Sequence, residues 1–457
     1  MLKIYKEFID EYNFLSSKAL NYSLLTVISQ LVFTPIIILL ITTKMSPEEQ
    51  GYYYTFLSLV ALQSFFELGL FTYVLNKSAE FFSDLQEFNI RFLEQSAIVK
   101  SNLAMLYRMT RKMYFIIAFF FLVCIGCIGL VFFADSNILE INHTQWVWLG
   151  LTILCAIQLF YLGLNSFLEG CGQIERMEKF KLIAFILSSI TLITSLSFGL
   201  GLVSLCLSFI PRILKDVYLV HFVFGKEFKL LACTQNISSF NFMTSVAPMQ
   251  FRLAISGIFS YLQYNALVPM VFTVLGPAQA GTIGVGLQVM SFLQQVLTRW
   301  THIQQPRMAK LVSLKKFAEL DTLVKGIQAI TIKLSVLMIL GFILVFSTLK
   351  AFEFQILDRM PNVVIFLMLI VAASAYGQVS IRIGYLRAFV EERAHVLSMT
   401  IAVVNVVICY ALLELIGLYA VSCSYLFAIL FVALPWCQFL VWGKKVELGQ
   451  IVRLSVK

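Results

Sequence analysis

The sequence predicts an all-α protein that crosses a membrane about twelve times, and three observations lead there. Of its 457 residues 60% are hydrophobic and 13% charged, against about 45–50% and 25% in soluble domains. Apolar windows of about twenty residues, the length that spans a bilayer as a helix, recur along the whole chain. Lysine and arginine gather in every second connection between those windows.

The windows lie at 20–43, 51–74, 112–134, 145–167, 181–200, 202–224, 252–275, 282–303, 329–350, 361–382, 395–416 and 418–442. The tightest breaks are Gly199-Leu200-Gly201 and the Glu414–Gly417 turn. Residues 1–19 mix Lys3, Lys6 and Lys18 with Glu7, Asp10 and Glu11, and no small-residue cleavage site follows the first apolar run. The first window therefore reads as a retained span and not a signal peptide.

Orientation follows from the basic residues. The N-terminus, 76–112, 168–181, 211–252, 299–333, 382–393 and the C-terminus hold 31 of the 34, and the opposite side holds Lys44, Lys350 and Arg359. Both termini are expected in the cytoplasm, and the even helix count agrees. The net charge of +9 is thereby explained by topology and anionic headgroups, without a nucleic-acid partner. The outer connections reach at most about a dozen residues, too few for an outer domain. Residues 77–111 alternate apolar and charged positions at helical spacing, so they should lie along the membrane surface or extend the third helix.

The two ends of the chain repeat each other. MSPEEQG at 45–51 and LGPAQAG at 275–281 each join two apolar windows, and Pro47/Pro277 and Gly51/Gly281 share an offset of 230. FLEGCGQIER at 167–176 leaves helix 4 much as YLRAFVEERA at 385–394 leaves helix 10. Helices 1–2 thus match 7–8, and 4–5 match 10–11. Six helices separate the copies, so both halves enter the membrane in the same sense. Two parallel six-helix lobes, 1–230 and 231–457, are expected around a central cavity, a transporter architecture.

Polar residues inside spans are costly and usually face a bundle interior or a wet cavity. Glu67, in FFELGL near the end of helix 2, is either a proton or cation site or the partner of a nearby base. Arg252, Arg299, Arg382 and Arg387 sit at the basic ends of helices 7, 8 and 10. Each is satisfied as a topological anchor whose stem snorkels. Together they would form a basic mouth, and guanidinium groups suit phosphate through bidentate hydrogen bonds. Gln263, Asn265, Gln288 and Gln295 with Gln30 of helix 1 are candidates for a polar stripe along a saccharide path. The competing reading is ordinary interhelical hydrogen bonding, worth under about 1 kcal/mol each. Pro35 and Pro269 should kink helices 1 and 7.

Nothing points to catalysis. The four histidines are far apart in sequence, and no HExxH, GxxxxGK[ST] or aspartate-rich metal motif occurs. Cys124 and Cys127 form a CxxC inside an apolar helix and read as small helix- or lipid-facing residues. No cofactor or metal is expected, and without a phosphate-cradling loop the energy source should be an H+ or Na+ gradient or the membrane potential.

At these motifs the sequence resembles the polysaccharide-exporter (Wzx-like) flippases of the multidrug/oligosaccharidyl-lipid/polysaccharide (MOP) superfamily. The resemblance is carried by MSPEEQGYYYTFLSLVALQSFFELGL (45–70), LEG (168–170), PMQFRLAISGIFSYLQ (248–263), LGPAQAGTIGVGLQV (275–289), the RW and PR of 299–307, and YLRAFVEE (385–392). It implies a bacterial inner-membrane protein that moves an undecaprenyl-pyrophosphate-linked oligosaccharide to the periplasmic leaflet. Implied partners are that lipid-linked substrate, membrane lipids, and the polysaccharide polymerase and chain-length machinery. Family members have a cationic cavity. Here helix 7 has no basic residue beyond Arg252 and helix 1 only Lys18 at its foot, so a cationic mouth with an uncharged polar passage is expected. A MATE-like ion-coupled exporter of small molecules is the alternative. A membrane glycosyltransferase or polymerase would need a large outer loop that the sequence lacks.

Overall fold

The structure is a computed structural model that describes residues 17–67, 69–82, 88–90, 93, 96–133, 141–234, 259, 261–263, 265–352, 355–389 and 394–455. Among the described residues every regular element is helical. Among the described residues nine helices are long and apolar enough to cross a membrane, and a tenth span follows when a pair bent by 46° is joined. The protein is an all-α polytopic membrane protein.

The first half holds α1 (Ser17–Lys44), α2 in three pieces (Pro47–Val60, Gln63–Glu67, Leu70–Phe82), α3 (Ala97–Phe132), α4 (Ile141–Gly170), α5 (Ile174–Ser197) and α6 (Val203–Val217). The second holds α7 (Leu267–Leu275), α8 (Pro277–Ser313), α9 (Phe317–Ala351), α10 (Val363–Ala388), α11 (Ala394–Ile416) and α12 (Tyr419–Phe427, resumed at Leu434–Ser455). The short helix Gly225–Cys233 follows α6, and the expected division at 230/231 falls within it.

Several helices outrun their apolar windows. The α3 helix starts at Ala97, capped by the Ser96 hydroxyl, which accepts from the Val99 N–H; residues 97–111 thus extend the third helix. The expected continuous helix at 51–74 is instead broken at α2, where Gly69 takes a positive φ of 70°. Only a residue without Cβ adopts that conformation freely. Gly199, Gly201 and Gly417 likewise turn at positive φ, which makes the two tight breaks possible.

Two π-segments follow the α-helical runs at corresponding places: Tyr218–Val223 continues α6, and Ala428–Ala433 interrupts α12. Such i→i+5 turns widen a helix locally and recur at functional sites.

By contacts the chain forms two compact units. The first comprises Met1–Ser46 and Leu59–Gly257, the second Pro47–Ser58 and Ile258–Lys457. Lipid offers no hydrophobic drive between helices, so close packing of small residues holds each unit together. In the first, Gly129 of α3 lies beneath the Trp148 indole of α4, whose Nε1 donates to the Gly126 carbonyl at 3.3 Å. Gly163 of α4 similarly receives the Tyr114 ring of α3. At the basic end, Tyr107, Phe167 and Phe228 pack with centroids 4.9–6.2 Å apart, which docks the short helix onto α3 and α4. In the second unit, Gly377 and Gly384 of α10 lie against Leu297 and Thr301 of α8. An apolar cluster of Met308, Leu320, Ile327, Ile381 and Leu386 closes the basic ends of α8, α9 and α10.

Candidate functional site

Within the second unit the repeated turns meet. Pro47 and Pro277 each open a helix at its N1 position, where the missing N–H costs nothing. Four residues on, Gly51 and Gly281 face each other: a Cβ on Gly281 would lie 2.8 Å from the Gly51 nitrogen and 3.0 Å from the Pro47 carbonyl oxygen. A Cβ on Gly51 would fall on the Pro277 carbonyl. The neighbouring Gln50 amide, itself buried, donates to the Gly281 carbonyl at 2.9 Å and the Arg359 carbonyl at 3.2 Å. One turn deeper the Tyr54 ring rests on Gly284, and its hydroxyl donates to Gln288 Oε1 at 2.7 Å.

Toward the basic ends of α8, α10 and α12 lies a polar seam. The half-buried Arg382 donates from Nε to Gln438 Oε1 and from Nη1 to the Gln378 carbonyl, both at 2.8 Å. Both partners are neutral, and among the described residues no carboxylate pairs with this guanidinium. Gln305 Nε2 donates to the Gly384 carbonyl at 2.9 Å. Beside it Thr301 Oγ1, Gln304 Oε1 and Gln378 Nε2 are buried without a protein partner among the described residues. A fixed cation with uncommitted donors and acceptors around it is equipped to hold an anionic, hydrogen-bonding ligand.

The other sequence candidates are distributed as follows. Arg252 lies outside the described residues. Arg299 is half-buried on α8, and Arg387 is exposed in the last turn of α10. Gln263 is buried; its carbonyl accepts from Asn405 of α11 at 3.4 Å, and its Nε2 has no partner among the described residues. Asn265 is half-buried just before α7, where its backbone N–H donates to the Tyr261 carbonyl at 2.8 Å. Gln288 is bound to Tyr54, whereas Gln295 is exposed. In the first unit Gln30 is half-buried on α1, and Glu67 is half-buried at the break in α2. The free cysteines Cys124 and Cys127 are exposed. Among the described residues no group of His, Cys, Asp and Glu could hold a metal.

Sequence reasoning missed the neutral cradle of Arg382. Gln378 is one turn from Arg382, and Thr301, Gln304 and Gln305 form a polar run in α8. The i, i+4 spacing was the available signal.

Taken together, these helices and breaks build the fold of the MOP-superfamily transporters. A multidrug resistance MATE family transporter of that superfamily, solved in an inward-facing conformation, matches with a TM-score of 0.63 at 13% identity, over 90% of this chain and 98% of its own. The lipid II flippase MurJ in an inward closed conformation matches with a TM-score of 0.65 at 13% identity, over 92% of this chain and 87% of its own. A MOP superfamily transporter from Pyrococcus furiosus gives a TM-score of 0.56 at 13% identity, over 94% and 96% of the two chains. No protein-family model and no curated protein matches the sequence.

Proposed function

We propose that the chain is a flippase for an undecaprenyl-pyrophosphate-linked oligosaccharide in the bacterial cytoplasmic membrane, working by alternating access, with both termini in the cytoplasm. The observation that carries this reading is Arg382, a guanidinium inside a membrane helix held only by neutral groups among the described residues. A cation in that position retains its full attraction for a diphosphate. Arg252, Arg299 and Arg387 would gather the pyrophosphate with it. Gln263, Asn265, Gln288, Gln295 and Gln30 would offer amides to the sugars, with Gln288 oriented by Tyr54. The prenyl tail would stay in lipid. The fold is also that of a protein described as a lipid II flippase. Glu67 is the sequence's candidate for coupling to an H+ or Na+ gradient.

The test is complementation. Cells lacking the chain should lose surface glycan and accumulate the lipid-linked intermediate, and wild-type protein should restore export. Arg382→Gln, inserted at normal levels, should export about 10- to 100-fold less, the worth of a charge-assisted hydrogen bond of about 1.5–3 kcal/mol. Normal glycan with Arg382→Gln would refute the assignment. A second reading, a MATE-like exporter of small cations, draws on the likeness to the multidrug transporter and the carboxylate of Glu67. It predicts raised drug susceptibility and intact surface glycan in cells lacking the chain.

A further inference from the structure

The first unit contains a buried carboxylate, set near further ionisable groups, that the proposed glycan path leaves unassigned. Asp216 of α6 is 1% exposed. It lies thirteen residues beyond Val203, about 20 Å along the helix at 1.5 Å per residue, less than the about 30 Å that a hydrocarbon layer spans. Its Oδ1 accepts from Asn165 Nδ2 of α4 at 2.7 Å and pairs with Lys215 Nζ at 2.6 Å. One turn from Asn165 on the same face of α4, the Tyr161 hydroxyl shares a 3.1 Å hydrogen bond with His221 Nε2. In an α-helix residue 221 would lie about 140° around the axis from residue 216. The π-turn Tyr218–Val223 lessens that mismatch, because its wider turns advance less per residue than those of an α-helix. The irregular turn thus places a histidine and an aspartate against the same face of α4.

We propose that Asp216 is a proton-binding site of the transport cycle, with Tyr161 and His221 linking it toward the basic end of α6. A carboxylate inside a membrane span changes its burden most by gaining or losing a charge. Taking one proton on Asp216 neutralises the carboxyl and releases the Lys215 ammonium from its partner, so Lys215 becomes free to attract an anion. Uptake of a proton and of an anionic substrate are thereby coupled through one ion pair. A metal cation is poorly suited to the same place. It would meet one carboxylate with an ammonium already bound, and no further ligand set assembles there among the described residues.

Other charges lie on the neighbouring helices. On α5 Lys181 bridges Glu169 of α4 and Glu178 at 2.7 and 2.9 Å. Arg212 of α6 donates to the Ser188 hydroxyl of α5 at 3.3 Å. Beyond these groups and the Tyr161–His221 pair, α5 also carries Glu175, Arg176 and Lys179 in its first two turns, while Glu169 and Glu178 share Lys181.

The site rests on the transport reading but is tested without substrate. Full-length protein in lipid nanodiscs is moved from alkaline to acidic buffer, and infrared difference spectra record carboxyl protonation. The expected result is a protonated-carboxyl C=O band that is lost in Asp216→Asn. In Asn165→Leu the band should move to higher wavenumber, because the carboxyl loses a hydrogen-bond donor. Should Asp216→Asn fail to insert, isotope-labelled aspartate in the wild type must shift the band, and Asn165→Leu must still move it. A band that survives Asp216→Asn or is unmoved by Asn165→Leu overturns the proposal. So does the absence of a band across the pH range in which the protein stays folded. Failure of the transport reading is scored separately, by intact surface glycan in cells lacking the chain.

Discussion

Replacing Gly51 by alanine should loosen the second unit where its repeated turns meet. The added Cβ falls on the Pro277 carbonyl, a backbone atom at the start of α8 that no rotamer change can move aside. Overpacking of this kind costs about 1–3 kcal/mol. Parting the helices also stretches the two Gln50 hydrogen bonds to the Gly281 and Arg359 carbonyls, at about 0.6 kcal/mol each in a membrane protein. Against this, alanine is the better helix former by about 0.8–1 kcal/mol. The balance is a loss of about 1–3 kcal/mol, or about 5- to 150-fold in the folded-to-unfolded ratio. Denaturant titration of purified protein in mixed micelles, followed by tryptophan fluorescence, measures it. Gly341→Ala is the control, because a Cβ there meets nothing within 4 Å, and it should leave stability unchanged or slightly raised. If Gly51→Ala is as stable as Gly341→Ala, the close approach is not part of the folded protein and the reasoning fails.

Three further outcomes are expected. Gly129→Leu should displace the Trp148 indole, which occupies the space of the new side chain, and lower the unfolding free energy by about 1–3 kcal/mol; the same titration reads it, with a changed native fluorescence spectrum. Tyr54→Phe removes the 2.7 Å donor to Gln288, and a double-mutant cycle with Gln288→Ala should return a coupling of about 0.6 kcal/mol. Cys124→Ser with Cys127→Ser should leave the unfolding midpoint within error of wild type, since both are free and exposed and a chelator should find no metal to remove.

Most of the membrane fold was legible in the sequence, because the bilayer demands runs of about twenty apolar residues and every helix bonds its own backbone. The turns at Gly199-Leu200-Gly201 and Gly417 were readable for the same reason, since a glycine between two apolar runs marks where the chain reverses. The break in α2 was not. FFELGL looks continuous by hydropathy, yet the positive φ at Gly69 parts the last piece from the one before it. The arginines could be found as anchors, but whether each one has an acid beside it is a question about other helices. Arg382 meets Gln438, 56 residues away, and no local pattern announces that.

By itself the sequence determined an all-α membrane protein with a repeated half, because hydrophobic length and charge asymmetry act locally along the chain. Only the tertiary structure decided which polar groups pair. Gly51 and Gly281 could be matched by their offset of 230, but that they touch depends on two helices 230 residues apart crossing at one point. The pairing of His221 with Tyr161 depends likewise on a π-turn. A change in helical pitch over six residues leaves composition and hydropathy untouched while rotating every side chain beyond it.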